Sequence, residues 1–396
     1  MASVRDDVMK ITEKYIMETY GRYPVTLVRG EGCRVWDSND REYIDFLSGL
    51  AVNSLGHCHP AVVSAIREQA GQLIHVSNLY HIAPQAELAK LLVDHSFAGK
   101  AFFANSGAEA NEAAIKLARK HAKDRGEPDR CEIVSMIQSF HGRTLATVTA
   151  TGQKKFHQGF EPLVPGFHYV SFNDISAVEA VVTEKTCAVL VEPVQGEGGI
   201  HIAAEGYLPA LKKLCRDRGA LLIFDEVQCG MGRTGKLFAY EHFDSAPDIM
   251  TLAKALGGGV PIGAMLATDE VAGSFVPGTH ASTFGGNPLS CAAGAAVMKT
   301  LLSPGFLDTV NARSGYFVAC LEDLKRRHTV IREIRALGLM IGVELELDGV
   351  AIARECLERG FLINCTMGNV LRFLPPLIVS HEEIDALIAL LDQVLP

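Results

Sequence analysis

The stretch AFFANSGAEANEAAIKLARKHAKD (101–124) places a short apolar run directly before a long segment with helical periodicity. The run at 101–104 predicts a buried strand, and apolar residues at i, i+3 and i+4 after residue 107 predict a helix. Similar runs alternate with amphipathic segments from about residue 100 to 270. Strands that alternate with helices form a mostly parallel sheet with helices on both faces. The alternation therefore predicts an α/β domain.

The flanking segments predict a second, smaller domain. At 396 residues, the chain exceeds the usual size of a single core. The segment 25–49 is typical of a short β-meander, and the tail after about residue 290 mixes an Ala-rich helix with strands and a final capped helix. We predict a large α/β domain over 56–290 and a smaller α+β domain formed by 1–55 and 291–396.

Composition argues against several classes of partner. The chain has no run of about 18 uncharged apolar residues, so we expect no membrane partner. A net charge of −9 argues against nucleic acid, because phosphate binding needs a basic face. Ten cysteines without a C-x-x-C pair favour reduced thiols, and the N-terminus lacks the apolar core of a secretory signal. We therefore expect a cytoplasmic protein.

Three groups of residues follow predicted strands, at the edge where open parallel sheets bind ligands. The first is the Asn-Ser-Gly turn before the helix. There the hydroxyl of Ser106 and the amides of Gly107 and Ala108 are expected to point into the space in front of the helix N-terminus. Free amides and the helix dipole favour an anion such as phosphate. An ordinary N-cap in a tight turn is the alternative interpretation.

The second group is Asp225, which ends the apolar run ALLIFDE (220–226). A carboxylate there is costly unless it is paired, so Asp225 is expected to hold a protonated ring nitrogen, a metal or an arginine. The segment GMGRTG (230–235) matches the dinucleotide-binding pattern, the only support for a nicotinamide-dependent oxidoreductase. Too few residues precede Pro247 to form the helix that this motif requires, so we interpret the match as chance.

The third group is Lys254, which stands between an apolar run and the glycines at 257–259. Burial lowers the pKa of a lysine amine, and a neutral amine can attack an aldehyde to form a Schiff base. A lysine that reaches solvent from a loop is the alternative. An anion site, a strand-end carboxylate and a buried amine together match the phosphate, ring nitrogen and aldehyde of pyridoxal 5'-phosphate.

Other polar and aromatic residues fit a site of this kind. Phe140 can cover a flat ring, Arg143 can hold a carboxylate, and His141 between them is expected to form local hydrogen bonds. Arg372 stands among apolar residues and should pair with an acid, because an unpaired buried guanidinium is costly. Glu197, which lies between glycines, is the candidate partner.

Two weaker signals remain. The His-Cys-His triplet at 57–59 looks like a metal cluster, but adjacent residues of a strand point to opposite faces. We therefore expect no metal there. Ser282 and Thr283 stand beside glycines, and their hydroxyls suit either a phosphate or a loop turn.

Ordered motifs along the chain resemble those of the class III (ornithine-type) aminotransferases, which have the pyridoxal-phosphate-dependent transferase fold type I. The resemblance runs from about residue 23 to the C-terminus. It is carried by LSGLAVNSLGHCHP, NSGAEANEAAIKLARK, SFHGRT, EPVQGEGGI, FDEVQCGMGRTGKLFAYEH, TLAKALGGGVPIGAM, GTHASTFGGNPLSCAAG and LRFLPPL. It implies a homodimer whose active sites are shared between the subunits.

The resemblance implies a role for each matching residue at the cofactor ring. Lys254 would form the Schiff base and act as the acid and base of catalysis. Asp225 would hold the protonated ring nitrogen, which makes the ring an electron sink. Gln228 would contact the ring hydroxyl, and Phe140 would lie on the ring face.

The family pattern also implies the residues at the phosphate. Gly107 and Ala108 would bind it through their amides, with Ser106 adjacent. Thr283 of the neighbouring subunit would reach the same phosphate, and Ser282 would lie near the substrate.

The resemblance further implies two small-molecule substrates and a ping-pong cycle, with a place in arginine biosynthesis. The terminal amino group of N2-acetyl-L-ornithine would pass to 2-oxoglutarate. Arg143 would hold the donor carboxylate, and Arg372 would hold the α-carboxylate of 2-oxoglutarate. Glu197 would pair with Arg372 while the donor is present, so that one pocket serves both substrates.

Other donors remain open at this point. Ornithine δ-aminotransferases carry a tyrosine where this chain has Leu50, which favours an acylated donor here. Succinylornithine and 4-aminobutyrate enzymes share part of the same pattern. A catalytically silent binding protein is the alternative from another class, but it would be expected to have lost Lys254 or Asp225.

Overall fold

The computed structural model describes residues 4–396, with side chains from residue 7 onward. Its helices are α1 (Val4–Tyr15), α2 (Ser48–Ala51), α3 (Pro60–Ala70), α4 (Ala83–Asp94), α5 (Gly107–Asp124), α6 (Leu145–Ala150), α7 (Ile175–Val181), α8 (Tyr207–Arg218), α9 (Asp269–Ala272), α10 (Pro288–Leu301), α11 (Phe306–Arg327), α12 (Gly349–Glu358) and α13 (His381–Val394). Its strands are β1 (Leu27–Glu31), β2 (Arg34–Asp37), β3 (Glu42–Asp45), β4 (Lys100–Ala104), β5 (Glu132–Met136), β6 (Phe167–Val170), β7 (Thr186–Val191), β8 (Val194–Gln195), β9 (His201–Ile202), β10 (Leu221–Asp225), β11 (Ile249–Leu252), β12 (Gly263–Ala267), β13 (Ile331–Leu337), β14 (Met340–Leu345), β15 (Phe361–Leu362), β16 (Asn364–Thr366) and β17 (Val370–Phe373). Within this described part, no helix combines the length and the apolar character needed to cross a bilayer.

The central element is a seven-stranded sheet in the order β4-β12-β11-β10-β7-β5-β6. β12 pairs antiparallel with both of its neighbours, whereas the remaining neighbours pair in parallel. Every residue of β7 is buried, as expected for an inner strand of a parallel sheet covered on both faces. The predicted α/β fold with a mostly parallel sheet is confirmed.

Helices cover the two faces of this sheet. Ile223 of β10 packs in the same apolar cluster as Ala113 and Leu117 of α5, whereas its neighbour Phe224 packs with Leu211 of α8. This division follows from the alternation of side chains along a strand. The small alanines of α5 let the helix lie close against the sheet. Its N-terminus lies at the carboxyl edge of the strands because α5 begins just after β4 ends.

Two smaller sheets, one mixed and one antiparallel, are built from the segments at both ends of the chain. The order β1-β2-β3-β15 joins the predicted N-terminal meander to the tail through the parallel pairing of β3 with β15. The order β13-β14-β17-β16 forms the second sheet. The division at residues 55 and 290 stays a prediction, and the packing of α10 on α3 and α4 favours a boundary near residue 301.

The GMGRTG segment has a structural role in this fold. Arg233 is fully buried and donates hydrogen bonds to the carbonyls of Leu339 at 3.0 Å and Pro375 at 2.6 Å. Only a 3-10 turn, Ala239–His242, follows it before β11. The segment therefore links the central sheet to the C-terminal one, and it lacks the helix that a dinucleotide-binding motif requires.

Candidate active site

A cavity of about 430 Å³ opens at the carboxyl edge of the seven-stranded sheet. The segments that follow β4, β5, β7, β10 and β11 meet there, because parallel strands end at the same edge. Nine residues predicted from the sequence line it: Ser106, Gly107, Ala108, Phe140, Arg143, Glu197, Asp225, Gln228 and Lys254. The chain thus brings together side chains that are up to about 150 positions apart in sequence.

Lys254 begins a 3-10 turn, Lys254–Gly257, directly after β11. Its φ of 44° lies in the left-handed region, which is costly for a residue with a side chain and is found most often at functional sites. No other side chain in the described part of the chain forms a hydrogen bond or ion pair with its amine. Burial lowers the pKa of Lys254, and the nearby Glu197 carboxylate opposes this effect. Lys254 therefore lines the cavity, and its amine is available to react with a ligand.

Asp225 is fixed at the end of β10 by three hydrogen bonds. Its Oδ2 accepts from Asn111 Nδ2 at 2.7 Å and from His141 Nδ1 at 2.8 Å, and its Oδ1 accepts from the amide of Val227 at 3.0 Å. Asn111 is held in turn by the hydroxyl of Thr251 at 2.7 Å. The carboxylate is 3% exposed, so its orientation in the cavity wall is set by this network. His141 is a local hydrogen-bonding residue, as its position suggested.

The start of α5 combines an N-cap with open amides. The hydroxyl of Ser106 accepts a hydrogen bond from the amide of Glu109 at 3.2 Å, so the N-cap interpretation holds for this side chain. The amides of Gly107 and Ala108 belong to the first turn, which has no acceptor within its own helix. A Cβ at position 107 would lie 2.7 Å from Cγ1 of Val227, so only glycine fits there. The amides remain available for an anion.

Arg372 is 1% exposed and pairs with an acid, as its apolar surroundings required. Its Nη1 lies 2.6 Å from Glu197 Oε1 and 3.3 Å from Gln228 Oε1. Burial raises the pKa of Glu197, but the charge and hydrogen bond of Arg372 outweigh burial and hold the pKa below its ordinary value. The two residues therefore form a charged pair at one end of the cavity.

Arg143 lies at the mouth of the cavity in a different environment. Its guanidinium stacks over the ring of Phe156 at 4.1 Å and lies 5.6 Å from the centre of the Phe140 ring. It is exposed, and it forms no ion pair with any described side chain. A guanidinium that aromatic rings hold without a counter-ion is free to bind a carboxylate of a ligand.

The geometry agrees with the comparisons with known proteins. The chain matches the model of the aminotransferase class-III family over residues 15–395. This chain belongs to the class III aminotransferases. An acetylornithine aminotransferase of Caldanaerobacter subterraneus subsp. tengcongensis is 56% identical over 97% of this chain and 98% of its own. One of Methanocaldococcus jannaschii is 54% identical over 98% of both chains.

Solved structures of class III aminotransferases have the same fold. An N-acetylornithine aminotransferase from Stenotrophomonas maltophilia K279a is 39% identical over 98% of each chain, with a TM-score of 0.84. An ornithine aminotransferase from Toxoplasma gondii is 34% identical over 99% of this chain and 94% of its own, with a TM-score of 0.95, and it shows partial occupancy of pyridoxal phosphate at its active site. Enzymes of this family depend on pyridoxal phosphate.

Three residues predicted for the site of this class III aminotransferase lie outside the lining of the cavity. Arg372 stands behind Glu197 and Gln228, to which it is hydrogen-bonded. Ser282 accepts a hydrogen bond from the amide of Gly285 at 3.0 Å, and Thr283 lines a separate hollow of about 810 Å³. The Ser282 hydroxyl also accepts a hydrogen bond at 3.3 Å from Asn105, which lines the cavity. Neither Ser282 nor Thr283 is a lining residue itself, so the roles predicted for them stay predictions.

Sequence reasoning missed three polar residues that line the cavity, Glu192, Asn111 and Asn105. Glu192 lines the cavity, is 5% exposed and accepts a hydrogen bond from the amide of Phe140 at 3.1 Å. Burial, and then the charge of Asp225, raise the pKa of Glu192 well above its ordinary value. The same strand-end signal that indicated Asp225 was present in CAVLVEP (187–193). Asn111, which holds Asp225, was detectable as the single amide on the apolar face of α5.

The His-Cys-His triplet does not belong to a metal-binding cluster in the described part of the chain. His57 Nε2 lies 2.7 Å from Asp45 Oδ2, and this single contact accounts for its orientation. Among the described residues, no group of three or more His, Cys, Asp or Glu side chains could hold a metal ion.

Proposed function

We propose that this class III aminotransferase transfers the terminal amino group of N2-acetyl-L-ornithine to 2-oxoglutarate, giving N-acetyl-L-glutamate 5-semialdehyde and L-glutamate. The observation that carries the proposal is a cavity lined by Arg143 and by a Lys254 amine that no described side chain binds, with Arg372 behind the lining residue Glu197. Arg143 is exposed and forms no ion pair with any described side chain, whereas Arg372 is buried and paired with Glu197. The relatives described above are named for the same donor. Leu50 in place of a tyrosine also supports an acylated donor over free ornithine.

The residues of the cavity fit pyridoxal phosphate. The open amides of Gly107 and Ala108 suit its phosphate, with Ser106 adjacent, and the fixed carboxylate of Asp225 suits a protonated ring nitrogen. Gln228 suits the ring hydroxyl and Phe140 the ring face. When bound, the cofactor supplies an aldehyde that takes up amines and a ring that withdraws electrons.

Lys254 is the acid and base of the proposed reaction. Its amine is held in the cavity by the 3-10 turn, and its lowered pKa favours the neutral form that can accept a proton. We assign it the removal of the proton from the donor carbon that bears the transferred amine, and the later return of that proton. Asp225 keeps its charge directed at the ring throughout.

Each of the two arginines binds one of the two substrates. Arg143 holds the carboxylate of the donor, so that the terminal amine and not the acylated nitrogen reaches Lys254. Arg372 holds the α-carboxylate of 2-oxoglutarate after Glu197 moves aside. Glu197 lies between Gly196 and Gly198, and the next residue, Gly199, has a φ of 112° that a side chain would disfavour. The pair thus lets one pocket serve both halves of a ping-pong cycle.

We also propose a cytoplasmic homodimer in which Ser282 and Thr283 of each chain serve the cavity of the other. The exposed side chains of Phe284 and Leu79 beside them support a second copy on this face. Ten unpaired cysteines suit a reducing compartment. Sedimentation velocity of the purified protein tests the assembly, and a monomer with full activity would contradict it.

The substrate assignment is tested with a panel of amine donors. Purified enzyme loaded with pyridoxal phosphate is assayed for glutamate formation from 2-oxoglutarate with N2-acetylornithine, N2-succinylornithine, ornithine and 4-aminobutyrate. We expect kcat/KM for acetylornithine to exceed that for ornithine and 4-aminobutyrate at least tenfold or so, since recognition of the acyl group contributes differential binding. A higher value for any other donor would replace acetylornithine, and no glutamate from any donor would refute the proposal.

Arg372→Ala is expected to damage the two half-reactions unequally. Loss of the guanidinium removes charge-assisted hydrogen bonds worth about 1.5–3 kcal/mol, so KM for 2-oxoglutarate should rise by roughly 10- to 150-fold. The donor half-reaction, in which Glu197 covers Arg372, should change far less. Single-turnover measurements of each half-reaction check this, with the exposed Arg359→Ala as the control. Equal losses in both half-reactions would count against the role of Arg372.

A further inference from the structure

The turn at 196–199, which carries Glu197, is held by side chains of the C-terminal sheet. Thr366 of β16 donates its hydroxyl to the carbonyl of Glu197 at 2.6 Å. Arg335 of β13 donates to the carbonyl of Gly199 from Nε at 3.0 Å and from Nη2 at 2.8 Å. Both side chains belong to residues that are only 9% exposed. The backbone on both sides of the Glu197 Cα is therefore fixed by a sheet that is distant in sequence.

β16 also fixes Arg372, the cationic member of the pair with Glu197. Asn364 of β16 accepts a hydrogen bond from Arg372 Nε at 3.1 Å and stands opposite Arg372 in the ladder with β17. Asn364 and Thr366 are two positions apart, so their side chains share a face of the strand. One short strand thus sets the position of Arg372 through one side chain and that of Glu197 through the other.

Two glutamates outside the turn at 196–199 neutralise the charge of Arg335. Its Nη1 lies 2.7 Å from Glu344 Oε2 and also contacts Glu333. The hydrogen bond from Arg335 lowers the pKa of Glu344 below its ordinary value. Arg332 pairs with the same Glu344 at 3.1 Å, but its side chain is 67% exposed and has no hydrogen bond to the turn. Arg332 is therefore a matched control for Arg335.

We propose that Thr366 and Arg335 are positioning residues that set the preference of the cavity between its two substrates, by holding the turn at 196–199 against Arg372. This inference rests on the proposed function, in which Glu197 covers Arg372 for the donor and leaves it for 2-oxoglutarate. With the backbone held, only the Glu197 side chain has to move. A loosened turn weakens the closed pair, and free Arg372 then competes with Arg143 for the donor carboxylate.

Thr366→Val tests this with almost no change in side-chain volume. It removes the hydrogen bond to the Glu197 carbonyl, and we expect KM for acetylornithine to rise about fivefold while KM for 2-oxoglutarate stays the same or falls. Thr366→Ser keeps the hydroxyl and should retain the wild-type ratio of the two KM values. Equal rises in both KM values, or a Ser variant that behaves like the Val variant, would overturn the inference.

A double-mutant cycle with Glu197→Ala separates positioning from a general structural effect. Because Thr366 acts through Glu197, adding Thr366→Val to Glu197→Ala should leave the KM ratio unchanged, and an additive change would overturn the inference. Arg335→Lys should shift the ratio in the same direction as Thr366→Val, whereas Arg332→Lys should not. Thermal unfolding of every variant identifies any that is misfolded at the assay temperature.

The outcomes also distinguish this inference from the function on which it rests. If the wild-type enzyme fails to use acetylornithine, or Glu197→Ala leaves the KM ratio unchanged, the proposed function of the pair is wrong and the inference falls with it. If Glu197→Ala shifts the ratio and Thr366→Val does not, the function stands and only the positioning role is refuted.

Discussion

Lys254→Ala is expected to reduce kcat by about 10⁴-fold or more with every donor. In the proposed reaction the amine is both the nucleophile that takes up the cofactor and the group that moves the substrate proton, and positioned acid–base catalysis alone contributes up to about 10⁴-fold. No other lysine lines the cavity among the described residues, so no second amine can replace it. The measurement is steady-state glutamate formation from acetylornithine and 2-oxoglutarate.

The fold should survive this substitution. The Lys254 amine forms no hydrogen bond within the described part of the chain, and its φ of 44° leaves strain that alanine does not increase. Circular dichroism and thermal unfolding should therefore match the wild type. Lys299→Ala, which removes an exposed amine paired with Glu87, is the control and should retain full activity. Turnover by Lys254→Ala within tenfold or so of wild type would refute the assignment of the amine.

Local signals predicted the α/β fold and most of the cavity because they depend on burial. Apolar runs such as 220–224 become inner strands, and a polar residue at the end of such a run must lie at the edge of the sheet. On this ground Asp225 and Lys254, which both follow apolar runs, were predicted to lie at the same edge of the sheet. The same signal applies to Glu192, the first residue of the EPVQGEGG motif (192–199), in which only Glu197 was assigned a role.

The remaining features depend on contacts between distant segments. The pairing of Arg372 with Glu197, 175 positions away, was predicted from the cost of an unpaired buried guanidinium and is confirmed, but its geometry depends on such a contact. The hydrogen bonds from Thr366 and Arg335 to the turn at 196–199 join strands to a loop across 169 and 136 positions, respectively, and nothing in the local sequence marks them. The pairing of β15 with β3 could not be predicted either, because a strand of two residues has too short a hydrophobic pattern to identify its partner strand.

Asp225→Asn is expected to lower kcat by about 10²–10³-fold, the usual effect of removing one preorganised charge from a catalytic site. The amide has nearly the same shape, so it can still accept from Asn111 and His141, but it has no negative charge to keep a ring nitrogen protonated. Proton removal by Lys254 then lacks the electron sink that it requires. Steady-state kcat with acetylornithine, measured at saturating cofactor, checks the prediction.

Asp248→Asn is the matched control for this charge, because Asp248 lies just before β11 at the opposite edge of the same sheet. Its carboxylate accepts a hydrogen bond from the amide of Leu222 at 2.7 Å and pairs with Lys212 at 2.5 Å, both remote from the cavity. Asparagine can keep the first of these contacts, so kcat should stay within about threefold of wild type even if the unfolding temperature falls. Equal losses of kcat in the two variants would mean that Asp225 acts through stability, whereas a loss confined to Asp225→Asn places the required charge at the carboxyl edge of β10, beside Lys254.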